Sequence, residues 1–251
     1  MAASASTPLV FLVFMARILG FTVALLVLFW ASAFSSSFLP STLPAQHLLY
    51  SLLHPLLMVI GFILISGEAI LVHRWFPGSR GMKKCVHLWL QGVAMTCGFF
   101  GIWTRFQGKD GIVANFYSLH SWMGLLCISL FAAQWLIGFW NFWHRGEVRK
   151  VRKRILPWHV FLGLYTYALA VATAETGLAE KLIFIQAART TTNLSKHSAE
   201  SMVVNSLGLG LALLGVLVVF AALSPINKNQ LQQQSLKTKP SFSDSTTKAF
   251  L

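Results

Sequence analysis

Six stretches of the chain are nearly unbroken runs of apolar residues, and polar residues collect between them. The runs cover roughly residues 9–33, 48–72, 85–104, 117–140, 157–178 and 202–223. Each is close to the ~20 residues that a helix needs to cross a hydrocarbon core. The pattern predicts an all-α, polytopic membrane protein with six transmembrane helices. The connections are short, so neighbouring helices run antiparallel and a compact bundle follows. From Pro225 onward Gln, Ser, Thr and Lys dominate, which reads as a disordered tail. The chain divides into a membrane domain, 1–224, and a tail, 225–251.

Composition agrees with the pattern. Of 251 residues, 55% are hydrophobic and only 11% charged, where a soluble domain carries about 25% charged residues. The polar stretches are too short to bury a core of their own. Cys85, Cys97 and Cys127 all fall in apolar runs, and read as small apolar residues rather than a disulfide framework. The end of the first run, "ASA" at Ala31–Ala33, resembles a signal-peptide cleavage site. The length of the apolar stretch, and the apolar residues ahead of it, favour a retained helix.

Charge sets an orientation. Arg74, Arg80, Lys83 and Lys84 lie between the second and third runs. Six more basic residues, from Arg145 to Arg154, lie between the fourth and fifth, and the tail adds Lys228, Lys237, Lys239 and Lys248. That is 14 on one side of the membrane against five on the other. The basic side is expected to be cytosolic, with both termini there. The run "RKVRKR", Arg149–Arg154, also admits a nucleic-acid reading. A cytosolic loop between helices is expected to look the same, so no nucleic-acid partner is expected.

Eight histidines remain. His47, His73, His144 and His197 fall in loops or at the edges of runs and read as interfacial or solvated. His54, His87, His120 and His159 lie inside runs, where an ionisable residue is costly and usually functional. The second and fourth helices cross in one direction, the third and fifth in the other. His54 and His120 therefore share the outer leaflet, and His87 and His159 the inner. Zinc wants three or four ligands, and no Cys or carboxylate sits at either level. A proton relay would more often bring in Asp or Glu, and the runs hold only Glu68 and Glu175. A transporter or channel moving protons or metal ions is the rival reading, and a set of histidines merely hydrogen-bonded within the bundle is the plainest. Two histidines facing each other suit the two axial positions of a haem iron, with no open position for O₂. Two such sites stacked across the bilayer would conduct electrons. The aromatics Trp89, Phe99, Phe100, Trp103 and Trp122 read as packing or an interfacial belt.

Several segments resemble one family. "SLHSW", Ser118–Trp122, resembles a motif of the cytochrome b561 family, ascorbate-reducible di-haem membrane proteins. "KKCVHLWLQ", Lys83–Gln91, resembles the family's lead into its third helix. The histidine spacings and the six spans also fit, and the style is that of the plant ascorbate-type members. The resemblance implies six helices, of which the middle four cradle two b-type haems, in a homodimer. It implies an oxidoreductase that takes electrons from cytosolic ascorbate and delivers them to monodehydroascorbate or a ferric chelate on the far side. His87 and His159 match the inner ligands, His54 and His120 the outer. A vacuolar or other endomembrane is favoured over the plasma membrane.

Substrate positions follow from the same resemblance. Ascorbate is an anion near neutral pH and wants basic partners. Arg80 and Lys84 precede the third helix and Lys153 the fifth, in segments where the family places ascorbate contacts. Outside, some relatives carry a histidine in the loop before "SLHSW"; Lys109 stands about there in this chain. A lysine does not bind iron as a histidine would, but it attracts an anionic acceptor. Asn115 and Tyr117 are candidates for hydrogen bonds to the acceptor.

Overall fold

In the computed structural model, residues 7–38, 45–107, 116–144, 149–188 and 194–225 are described. Among them the structure is helical, with no strand. Helix α1 covers Thr7–Ala33. The second span is built from α2 (Ala45–Leu56), a π-helical segment (Leu57–Leu64) and α3 (Ile65–Trp75). Then follow α4 (Arg80–Phe106), α5 (Leu119–Phe139) with a wide turn at Trp140–His144, α6 (Arg149–Ala188) and α7 (Leu194–Leu223). Among the described residues six helices are long and apolar enough to cross a membrane, and the protein is an integral multi-pass membrane protein. The expected tail lies outside the described residues from 226 onward.

Local chemistry explains the helix starts. The hydroxyl of Ser79 accepts from the Met82 N–H at 3.2 Å and caps α4. Ser118 does the same for α5, accepting from the Ser121 N–H at 3.2 Å. These caps satisfy donors that a helix N-terminus leaves open. The serines of "SLHSW" thus start a helix, and the start places His120 in its first turn. In the second span, Pro55 lacks the N–H that would close the turn to Ser51. The π-helical turns begin two residues later, a place where such turns often mark a functional site.

Two helices differ from the apolar runs that announced them. Helix α6 is 40 residues long, about 60 Å at 1.5 Å per residue, twice the hydrocarbon thickness. Its first two turns hold Lys150, Arg152, Lys153 and Arg154, which the sequence placed in a loop ahead of the helix. Pro157, where the apolar run began, lies inside the helix. Helix α4 likewise begins at Arg80, a turn ahead of its run.

The helices pack through small residues and a few polar ties. A Cβ on Gly61 would come 2.5 Å from Cys97 Cβ, and one on Gly98 2.8 Å from Ile128 Cδ1. These glycines let the second span, α4 and α5 approach closely, the packing that membranes favour. Arg17 of α1 makes a two-pronged ion pair with Glu68 of α3, at 3.1 and 3.2 Å. Its guanidinium also lies 3.7 Å from the centre of the Trp75 ring. Glu200 of α7 is almost fully buried and accepts from Trp30 Nε1 at 3.0 Å. Arg74 donates to Ser224 O at 2.9 Å and to Ala222 O, closing the end of α7. Helices α1 and α7 therefore brace one side of a four-helix group, the second span with α4, α5 and α6, that carries the histidines.

Candidate functional site

The four histidines of the apolar runs stand in two pairs at opposite ends of that group. Where α4 ends and α5 begins, the His54 and His120 rings lie 6.1 Å apart between centroids, at 85°. Where α3 ends and α4 begins, His87 and His159 lie 6.3 Å apart at 70°. The Nδ1 atoms of three are tied to backbone carbonyls of neighbouring helices. His54 Nδ1 lies 2.8 Å from Gly101 O, His87 Nδ1 2.7 Å from Ala69 O, and His120 Nδ1 2.8 Å from Thr173 O. A carbonyl only accepts, so each of these imidazoles holds its proton on Nδ1 and leaves Nε2 as the ligating nitrogen. That is the outer-shell arrangement usual for a metal-bound histidine.

The spacing fits one metal ion per pair. Imidazole nitrogen bonds a first-row metal at about 2.0–2.1 Å, so two bonds and two half-rings span about 6 Å. Among the described residues, no group of three or more His, Cys, Asp or Glu is close enough to hold a metal ion. Two nitrogens on opposite sides and no further protein ligand suit a planar macrocycle that supplies the other positions.

Glycines make room for two of the rings. A Cβ on Gly138 of α5 would come 2.9 Å from His159 Cε1, and one on Gly177 of α6 2.8 Å from His120 Cε1. The relation is reciprocal. Gly138 follows His120 by 18 residues and Gly177 follows His159 by the same 18, about five full turns. Each helix offers a histidine at one end and, on the same face at the other end, a cradle for its neighbour's histidine.

Beside His87 and His159 lies a cavity of ≈ 430 Å³. Its wall is mainly apolar, with Ile70, Leu88, Phe131 and Trp135, and Lys84 stands on it. The buried Gln91 Oε1 and Tyr167 Oη in this wall make no hydrogen bond. A shaped apolar cavity between two histidines, with stranded polar atoms on its wall, is what a b-type haem would fill.

The sequence-predicted substrate residues are only partly gathered. Lys84 faces the cavity; Arg80 opens α4 and Lys153 lies in the second turn of α6, both exposed and neither on the cavity wall. Tyr117, just ahead of α5, is 83% exposed. Lys109 and Asn115 lie outside the described residues. His73 was set aside at a span edge, yet α3 continues past it, and its ring lies 5.2 Å from that of His87 on the cavity wall. Gln134, Gly138 and Gly177 were not singled out; a lone amide in an apolar run and the repeated 18-residue spacing were the signals available. Trp89, Phe99, Phe100, Trp103 and Trp122 are all turned outward.

Six spans with a histidine pair at each end of one bundle define a transmembrane cytochrome. The chain belongs to the eukaryotic cytochrome b561 family, which residues 53–185 match, a family that binds b-type haem. It is 61% identical over 225 residues to an Arabidopsis thaliana protein named probable transmembrane ascorbate ferrireductase 4, covering 90% of each chain. It is 42% identical to transmembrane ascorbate ferrireductase 2 of the same plant, covering 87% of this chain and 94% of the relative. Likeness extends to the sheep transmembrane ascorbate-dependent reductase CYB561, 38% identical over 184 residues, 72% of this chain and 71% of that one.

Proposed function

We propose that the protein is an oxidoreductase that carries electrons across its membrane one at a time. It draws them from ascorbate in the cytosol and delivers them to monodehydroascorbate or a ferric chelate on the other side. The observation that carries this reading is the pair of matched histidine sites at opposite ends of one bundle. The names of the relatives supply the donor, ascorbate, and support reduction across the membrane. None supports the transporter or channel reading.

The residues would divide the work by depth. His87 and His159 hold one b-type haem near the cytosol, and His54 and His120 a second near the far side. Bound there, haem would supply reversible one-electron chemistry. The apolar cavity wall excludes water. Lys84 attracts the ascorbate anion to the cytosolic mouth. A homodimer and a vacuolar or other endomembrane location complete the proposal. A visible spectrum of the purified protein tests it: a low-spin b-type spectrum, two haems per chain, sharpening when ascorbate is added. A protein without haem would end this reading.

Lys84→Ala should weaken ascorbate. Losing a hydrogen bond to a charged group costs about 1.5–3 kcal/mol, roughly a ten- to 150-fold rise in the ascorbate concentration needed. Arg80→Ala should do less, since Arg80 is off the cavity wall. Reduction by dithionite should stay unchanged in both, and salt should slow ascorbate in the wild type by screening. Stopped-flow haem reduction reads all of this; an unchanged concentration dependence in Lys84→Ala would move the donor site elsewhere, first to Lys153.

The orientation rests on the basic residues, 14 against five. The sequon Asn193–Ser195, whose last two residues open α7, is expected on the non-cytosolic side. A cysteine label introduced at Ser195 should react only after the membrane is opened or inverted so as to expose that side. Labelling from the cytosol would reverse the topology and exchange the two sites.

A further inference from the structure

Helices α5 and α6 cradle each other's histidines in the same way, except at one atom. On α6, the residue four before the cradle glycine Gly177 is Thr173, whose backbone carbonyl meets His120 Nδ1 at 2.8 Å. On α5, the residue four before Gly138 is Gln134, and here a side chain takes the place of the carbonyl. The Gln134 amide lies 3.0 Å from His159 Nδ1 and, with the same nitrogen, 2.5 Å from the His159 carbonyl oxygen. Three of the four histidines thus have at Nδ1 a backbone carbonyl that no substitution can remove, joined at His120 by the Thr176 hydroxyl at 3.5 Å, whereas at His159 the partner is a side chain.

The difference has chemical content. A carbonyl can only accept. An amide carries a donor and an acceptor at nearly equal positions, and half a turn of its last torsion exchanges them. With NH₂ toward Nδ1 the imidazole must accept there. With the oxygen toward Nδ1 the imidazole donates and gains electron density at Nε2, the effect by which an outer-shell acceptor makes a histidine ligand more basic. A more basic axial ligand favours the oxidised metal, and hydrogen bonding of this kind is one of the protein's means of setting a haem's potential.

We propose that Gln134 is a positioning residue that orients His159 and sets the reduction potential of the His87–His159 centre, independently of the other centre. This rests on the reading of His159 as a haem ligand. With Nε2 committed to iron, Nδ1 carries the proton, and Gln134 accepts it by turning its oxygen there and giving up the bond that its nitrogen makes to the His159 carbonyl. A side-chain tie on the cavity wall, directed at both Nδ1 and the backbone of the same residue, is what distinguishes this site from its counterpart on α6.

Redox titration of the purified full-length protein, followed by its visible spectrum, tests the proposal in Gln134→Leu and Gln134→Glu. Leucine keeps the bulk and removes the acceptor, so the midpoint of one centre should rise, by about a tenfold change in its reduction equilibrium, ~59 mV for one electron. Glutamate is a stronger acceptor and should lower the same midpoint. The other midpoint should stay at the wild-type value, and the centre that moves must be the one missing from His159→Ala. Shifts of one sign in both variants, no shift in either, movement of the other centre, or loss of haem from both would overturn the proposal. A wild type without haem would instead overturn the function on which it rests.

Discussion

His120→Ala is expected to bind one haem per chain instead of two and still be reduced by ascorbate, whereas His159→Ala is expected to bind one and lose rapid reduction by ascorbate. The reason lies in the geometry. Each pair spans just over 6 Å between ring centres, so alanine leaves one ring facing a gap where its partner stood. The lost ring also takes one partner from Thr173 O in the first case, which keeps the Thr176 hydroxyl, and one from the Gln134 amide in the second, which keeps the carbonyl of residue 159. The two variants differ because the sites stand at opposite ends of the bundle, and Lys84 and the ≈ 430 Å³ cavity belong only to the His87–His159 end. Pyridine haemochrome assay gives the haem count, and stopped-flow with ascorbate against dithionite gives the donor side. If both variants kept two haems, the ligand assignment would fall. If His120→Ala were the one that lost ascorbate, the donor would enter at the other end.

What could be read in advance was whatever depends on hydropathy and order along the chain. Six apolar runs in strict alternation of direction fix which histidines share a depth. Hydropathy marks only the lipid-covered part of a helix, however. Helix α6 begins at Arg149 because Lys and Arg are good helix formers that sit at the headgroup level, where no apolar signal remains. The same blindness hid His73, which α3 carries just past the end of the apolar run and sets beside His87. The π-helical turns after Pro55 were illegible for another reason. Within them Gly61 meets Cys97 and Met58 meets Gly101 where the second span settles on α4, a contact between segments that sequence periodicity does not express. The cradle glycines were present as a repeated 18-residue spacing, but that spacing acquires meaning only once α5 and α6 are known to lie antiparallel and adjacent.

Those glycines carry the second large expected effect. Gly177→Val should empty the His54–His120 site while leaving the other, and Gly138→Val should do the reverse. A Cβ at residue 177 would stand 2.8 Å from His120 Cε1, and carbon atoms want about 3.5–4.0 Å. The ring must retreat by roughly 1 Å, which a ligand held to within about 0.5 Å does not tolerate. It cannot retreat freely, because Nδ1 is tied to Thr173 O on the same helix as the intruding atom. Overpacking costs about 1–3 kcal/mol, while replacing a mid-helix glycine returns about 1 kcal/mol or less of helix propensity. The helix should therefore survive and the site should not. Gly124→Ala on α5 is the control, since its Cβ would meet Thr173 Cγ2 at 3.7 Å, an ordinary contact. It should keep both haems and both midpoints. Alanine at 177 or 138 should fall between, with partial occupancy of one site only. Two haems per chain with wild-type midpoints in Gly177→Val would show that His120 does not need this space, and that its ring stands elsewhere when the site is filled.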